Sequence, residues 1–323
     1  MEGVGGVEVL RIGEFPDPVP GNGEILARVR ATALNRADLL QRRGKYPPPE
    51  GASPILGLEM AGEVVEAGPG CGEWAPGDRI CALLPGGGYA EMATVPAGMA
   101  MRIPDRLSYE EAAAIPECFL TAYHTLFLLG DIRQGMTVLV HAAGGGVGTA
   151  AVQLIREAGC VTLVTTGSPG KIDRCRELGA RAGWNHHDGP FAPWVSSQTD
   201  GRGVDLVLDT VGAPYFEQNI ASLAKDGTMI VIGTMGGAVA ERLNLLDLIF
   251  RRIRILCTSV RSLDLRRKIE LAERFAGFAL PRFADGRLEP VIDSVFDWAE
   301  VKNAHRRMES NANAGKIVLR IGD

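Results

Sequence analysis

Apolar and polar positions change their spacing twice along the 323 residues. Over residues 2–100, short apolar runs at 7–12, 25–31, 62–67 and 79–84 are separated by proline and glycine clusters, which predicts a β-rich domain of short strands. The turn Pro85-Gly86-Gly87-Gly88 leads into a further strand at 89–95. Residues 35–41 read as a short helix, and 108–114 as another, with Ser108 as cap and Glu111 three residues on. Beyond about Thr121 the style becomes one of buried strands (138–140, 161–165, 205–209, 228–233, 253–260) alternating with helices (149–157, 171–178, 216–223, 243–250). That alternation predicts a doubly wound parallel sheet. A long helix after Leu263, to about Ala279, precedes runs at 291–297 and 315–321 that return to the short-strand style. The expected division is therefore 1–120, 121–264 and 265–323, with the last segment completing the first domain.

The stretch from Thr137 to Gly148 carries the clearest chemistry. A buried strand runs into His141-Ala142-Ala143-Gly144-Gly145-Gly146-Val147-Gly148 and then into a helix. In the dinucleotide fingerprint one small residue makes the turn, a second admits the pyrophosphate to the backbone, and a third lets helix and strand pack closely. Ala143, Gly145 and Gly148 hold those places. Gly145, Gly146 and Val147 then line a helix N-terminus whose unpaired N–H groups favour an anion. A second apolar strand follows where a βαβ unit puts it.

Composition narrows the partners. With a net charge of −5 and no long basic run, neither nucleic acid nor an anionic membrane is expected as a main partner. Arg251, Arg252 and Arg254 read as a solvated face. Six cysteines show no CxxC pair, so reduced thiols in the cytoplasm are expected. No apolar run reaches the roughly 18 residues a membrane span needs.

Along its whole length the chain resembles the zinc-free quinone oxidoreductases of the medium-chain dehydrogenase/reductase superfamily. The resemblance rests on Ala33-Leu34-Asn35-Arg36-Ala37-Asp38-Leu39, Gly44-Lys45-Tyr46-Pro47-Pro48-Pro49, Leu56-Gly57-Leu58-Glu59, Leu83-Leu84-Pro85-Gly86-Gly87-Gly88, the glycine motif and Gly315-Lys316-Ile317-Val318-Leu319. Within the family the chain looks closest to the tumour-suppressor-inducible branch. The resemblance implies an α/β fold: a GroES-like β-rich catalytic domain, an inserted Rossmann domain with a parallel six-stranded sheet, and a cleft between them. It further implies NADPH as reductant, a quinone as acceptor, and a homodimer joined at the Rossmann edge strand. Where alcohol dehydrogenases of the superfamily hold a catalytic zinc, the corresponding positions look like Asn35, Leu58 and Glu117, so no metal is expected.

NAD-specific folds place an acid about 20 residues past the glycines. Here Thr165-Thr166-Gly167-Ser168 stands in that place, and with Lys171 one helical turn on this favours the 2′-phosphate of NADPH. Lys171 as a solvated lysine and Ser168 as a helix cap remain alternatives. His186 stands where many relatives carry tyrosine and zeta-crystallin carries histidine, which leaves it open between a phosphate ligand and a surface loop residue. By the same resemblance Thr121, Val211, Gly233, Met235, Gly236, Thr258, Ser259, Val260 and Asn313 approach the cofactor, each with a packing role as the alternative. Tyr46 and Asn35 are the residues expected to meet substrate, and both are also expected to touch the cofactor. The Tyr46 ring could stack on a flat quinone and its hydroxyl could bond a quinone oxygen. The rival activities are reduction of enal or enoyl double bonds, and a non-catalytic crystallin-like or RNA-associated role. His124, His141 and His305 read as structural.

Overall fold

Pairing with a neighbouring strand decides which apolar runs become strands. In the computed structural model, which describes residues 3–322, the chain divides into one unit of residues 1–120 and 264–323 and a second of residues 121–263. The first unit begins with strand β1 (Glu24–Ala33), helix α1 (Arg36–Arg42), and strands β2 (Glu59–Ala67), β3 (Arg79–Leu83), β4 (Met92–Pro96) and β5 (Ala100–Arg102). Helices α2 (Tyr109–Ala113) and α3 (Pro116–Tyr123) follow. The Ser108 hydroxyl accepts from Glu111 N and the Glu111 carboxylate from Ser108 N, so the capping box is present.

From there the second unit alternates strand and helix: β6 (Thr137–Val140), α4 (Gly146–Glu157), β7 (Val161–Thr166), α5 (Pro169–Glu177), β8 (Ala182–Asn185), α6 (Ala192–Gln198), β9 (Val204–Asp209), α7 (Phe216–Ser222), β10 (Leu223–Val231), α8 (Leu245–Arg251) and β11 (Arg254–Cys257). Its six strands are parallel and ordered β11-β10-β9-β6-β7-β8, a Rossmann sheet. Leu139, Leu163, Val207 and Met229 from its central strands are fully buried, and Phe191 and Val195 cover them.

Long helix α9 (Leu265–Ala284), strand β12 (Ile292–Asp297), helix α10 (Val301–Glu309) and strand β13 (Lys316–Arg320) return to the first unit. There β13 pairs antiparallel with the end of β1, Thr32 opposite Leu319, within the GroES-like sheet ordered β12-β13-β1-β2-β3-β5. The α/β class with a GroES-like part and a six-stranded parallel Rossmann part is thus present.

Three local readings need correction. Residues 7–12 form no strand, only a single 3₁₀ turn at Val7–Val9, because no neighbouring strand accepts their backbone. β4 starts at Met92 rather than Tyr89, whose side chain turns inward to Asp38 and His305. Strand β8 and helices α6 and α10 arise in stretches the apolar pattern left blank. Among the described residues no helix is long and apolar enough to cross a membrane.

Candidate functional site

In the Rossmann unit the glycine turn is built by sterics that differ at each position. A Cβ on Gly148 would lie 2.3 Å from Ala143 Cα, so helix–strand packing itself demands glycine there. On Gly145 a Cβ would meet nothing closer than Ala142 O at 3.5 Å, so the protein does not need that glycine, whereas a ligand laid on the backbone does. Gly145 is also the N-cap of α4 and has no side chain to satisfy the first-turn N–H groups of Gly146 and Val147.

Of three residues singled out beyond this turn, Lys171 packs on it and His186 packs on Gly167. The Lys171 stem packs on Gly144, where an added Cβ would lie 2.7 Å from Lys171 Cδ. The His186 ring faces Gly167, with Cε1 3.0 Å from the place of a Cβ there. Ser168 precedes α5 but makes no side-chain cap bond, which removes the cap as its explanation. The end of β7 carries no carboxylate; Thr165 and Thr166 are buried.

The loops after β9 and β10 are stitched together. Gly236 N donates to Val211 O at 2.9 Å, Met235 N to Thr210 O at 3.3 Å, and Gly212 bridges to Gly237. Gly233 packs so near Thr210 O that a Cβ would lie 2.9 Å from it. The Thr210 hydroxyl oxygen at this rim is buried without a partner. Thr258 shares a 3.2 Å hydrogen bond with His124, one turn on from Thr121. Ser259 directly precedes a 3₁₀ turn that begins at the buried Val260 and makes no side-chain cap bond to it. His141 is fully buried, and burial holds it down at about 4, so it is a neutral structural residue.

The first unit holds the other candidates. Tyr46 is half-buried in an irregular segment that runs into the three prolines. Asn313 is buried and its Nδ2 donates to Gly315 O at 2.9 Å. Asn35 caps α1, and its amide is heavily committed: Nδ2 donates to Glu59 Oε1 at 2.7 Å and to Ala33 O at 3.3 Å, while Oδ1 accepts from Lys316 Nζ at 2.7 Å. Both ends of the Asn35 amide are thus engaged within this cluster.

Glu59 and Lys316, at 0% and 4% exposure, are the centre of that cluster. Lys316 Nζ donates to Glu59 Oε1 at 2.6 Å and to Leu34 O at 2.8 Å, and Glu59 Oε2 accepts from Glu117 N at 2.7 Å. Burial alone would lower the Lys316 ammonium, yet the Glu59 carboxylate keeps it above its ordinary value. Neither was foreseen as a site residue. The available signal was a charged residue at the head of each of two strands.

Comparison with known proteins places these two units. The Alcohol dehydrogenase GroES-like domain family matches residues 21–105 and the Zinc-binding dehydrogenase family residues 146–276. The chain is 32% identical to the Synaptic vesicle membrane protein VAT-1 homolog of Rattus norvegicus, over 99% of this chain and 82% of that one. The chain belongs to the medium-chain dehydrogenase/reductase superfamily. Among solved superfamily members, Escherichia coli quinone oxidoreductase complexed with NADPH is 28% identical, with a TM-score of 0.88 over 99% of this chain and 98% of that one. JamJ enoyl reductase is 26% identical, with a TM-score of 0.88 over 99% and 97%. This superfamily member is accordingly an oxidoreductase.

The zinc in the second family's description does not fit these residues. Leu58 is apolar and 2% exposed, and the Glu59 carboxylate is taken up by Lys316, Asn35 and Glu117 N. Among the described residues no group of three or more His, Cys, Asp or Glu side chains could hold a metal ion. Burial pushes the Cys81, Cys118 and Cys175 thiols up to about 12, so these three are not primed for nucleophilic chemistry. A dinucleotide does fit, at the Gly145 turn and the Lys171–His186 rim.

Proposed function

We propose that this dehydrogenase/reductase is an NADPH-dependent quinone reductase that works without a metal, of the tumour-suppressor-inducible branch. The observation that carries the reading is the rim where Lys171 lies along Gly144, His186 faces Gly167 and Ser168 is left uncapped, beside a strand end without a carboxylate. That combination suits a 2′-phosphate, and the E. coli relative was solved with NADPH. NADPH supplies a hydride when bound.

The chain's own residues bind and orient. Gly145, Gly146 and Val147 take the pyrophosphate on helix N–H groups; Gly167, Ser168, Lys171 and His186 hold the 2′-phosphate. Val211, Gly233, Met235 and Gly236 line the adjoining loops, while Thr121, Thr258, Ser259, Val260 and Asn313 serve the nicotinamide end. Tyr46 offers a flat face and a hydroxyl to the quinone. A quinone is already an electrophile, so positioning and a hydrogen bond to the developing oxyanion suffice without a Lewis acid.

Reduction of an enal or enoyl double bond is the second reading, supported by the likeness to an enoyl reductase. NADPH oxidation by the purified protein, with quinones, enals and enoyl thioesters as acceptors and with and without chelator, separates the readings. Turnover of quinones, unaffected by chelator, is expected. Activity with enoyl thioesters alone promotes the second reading, and tight NADPH binding without turnover promotes a crystallin-like or RNA-associated role.

Association into a homodimer belongs to the same proposal. β11 pairs only with β10, and the neighbouring helix α8 leaves Leu245, Leu246, Ile249 and Phe250 more than half exposed. A second copy that extends the sheet at β11 covers both features. Sedimentation at micromolar concentration should show a dimer; a monomer would remove this part of the proposal.

A further inference from the structure

One buried chain of hydrogen bonds joins the carboxyl ends of β6, β7 and β9. Thr165, at the end of β7, meets His141 Nδ1 through Oγ1 at 2.7 Å. His141, directly after β6, meets Asn219 Oδ1 through Nε2 at 2.7 Å. Asn219 Nδ2 donates to Asp209 Oδ2 at 3.0 Å, and Asp209 Oδ1 accepts from Val211 N at 2.7 Å and Gly212 N at 3.1 Å. All four side chains are 0–1% exposed.

Only one arrangement of protons satisfies every link. Asp209, as a carboxylate, can only accept, so the Asn219 amide must turn its Nδ2 toward Asp209 and its Oδ1 toward His141. His141 must then carry its proton on Nε2, which leaves Nδ1 to accept the Thr165 hydroxyl hydrogen. The ring packs against both Phe191 and Tyr215, with centroids 4.8 and 4.9 Å away, and these two rings also touch each other at 5.0 Å. Beyond Gly212 the tie continues by backbone: Ala213 N donates to Gly237 O at 2.9 Å, which adds the loop after β10.

We infer that Asn219 is a positioning residue for the cofactor, setting the loops after β6, β7, β9 and β10 as one element through His141 and Asp209. It lies inside α7, wholly buried, and acts on the ligand only through those partners. Loops held in one arrangement bind without first being ordered, whereas loops released singly must each be ordered by the ligand. The inference rests on the NADPH reading for its effect on affinity, though not for its effect on the unliganded loops.

The test therefore uses two measurements on the full chain. Amide hydrogen exchange without nucleotide follows segments 142–146, 210–213 and 233–237, and titration of NADPH follows affinity. Asn219→Leu, close in volume and without polar atoms, should speed exchange in all three segments together and weaken NADPH about tenfold, the scale of one lost buried polar link. Thr165→Val should do the same more weakly, and Thr165→Ser, which restores the hydroxyl, should recover the unmutated behaviour. Faster exchange confined to α7, with the loops unchanged, would overturn the inference even if the protein melts earlier. If the unmutated protein failed to bind NADPH while the three segments still loosened together, the cofactor reading would fall and the coupling would stand.

Discussion

The two units bury polar groups equally deeply and solve the problem differently. In the GroES-like unit the solution is charge against charge: Glu59 and Lys316, with Asn35 and two backbone groups completing the shell. In the Rossmann unit it is a largely neutral relay, His141 and Asn219 between Thr165 and Asp209. A buried ion pair depends on both partners, because removing one strands the other in a low-dielectric interior. A neutral relay depends on sequence of donors and acceptors, so its failure misdirects loops more than it unfolds the protein.

The largest expected effect tests the charged solution. Lys316→Met leaves Glu59 buried without its counter-charge and should cost about 3–5 kcal/mol in urea unfolding. Pairing it with Glu59→Gln should restore most of that loss; a single variant as stable as the parent would show the pair to be dispensable. Next comes Lys171→Ala, which leaves both buried clusters intact and removes the proposed contact with the 2′-phosphate. A charge-assisted bond is worth about 1.5–3 kcal/mol, so the NADPH over NADH preference should shrink about tenfold or more. Equal affinities before mutation would reject the 2′-phosphate assignment.

A smaller effect comes from pH. Burial lowers His141 from an ordinary 6.5 to about 4. Between those values the unfolded chain binds a proton there that the folded chain refuses, so its contribution to stability falls as the solution is acidified from about 6.5 through 4. His305, lowered to about 3 by burial and then by Arg42, acts in the same direction in the other unit. Asp38 opposes it: burial raises its pKa to about 6, so its contribution declines as pH rises through that value. His141→Gln should therefore flatten the rise of melting temperature between pH 4 and 6.5 by a few degrees, and an unchanged slope would contradict the buried neutral imidazole. The smallest change is expected from Tyr46→Phe, which keeps the stacking face and should lower quinone turnover only a few-fold. Near-abolition would make the hydroxyl an obligatory proton donor and favour double-bond reduction.

How legible these features were depended on the range over which they act. The βαβ order, the glycine turn and the Ser108 cap are local patterns of a few residues, and they could be read directly. Strand β8, Ala-Gly-Trp-Asn, has neither length nor β-branched residues, and its place in the sheet comes from pairing with β7. Residues 7–12 failed in the opposite sense, with strand-like composition and no partner. The Glu59–Lys316 pair was invisible as a pair because its members stand 257 positions apart, and only the pairing of β13 with β1 brings the end of the chain back. Asn219 gave no signal at all, since an asparagine within a helix ordinarily reads as a solvated residue.

The return of β13 to β1 also bears on the order of events during synthesis. Glu59 leaves the ribosome early, while its counter-charge and the strand that carries it follow after the whole Rossmann unit has emerged. The Rossmann unit has every residue it needs in one continuous stretch and can fold while translation continues. The GroES-like unit must wait, with one carboxylate unneutralised and the end of β1 lacking its β13 partner. During that interval the exposed strand is open to wrong pairings, so stalling or truncation before Lys316 should yield chains that are recognised by chaperones while carrying a native Rossmann half.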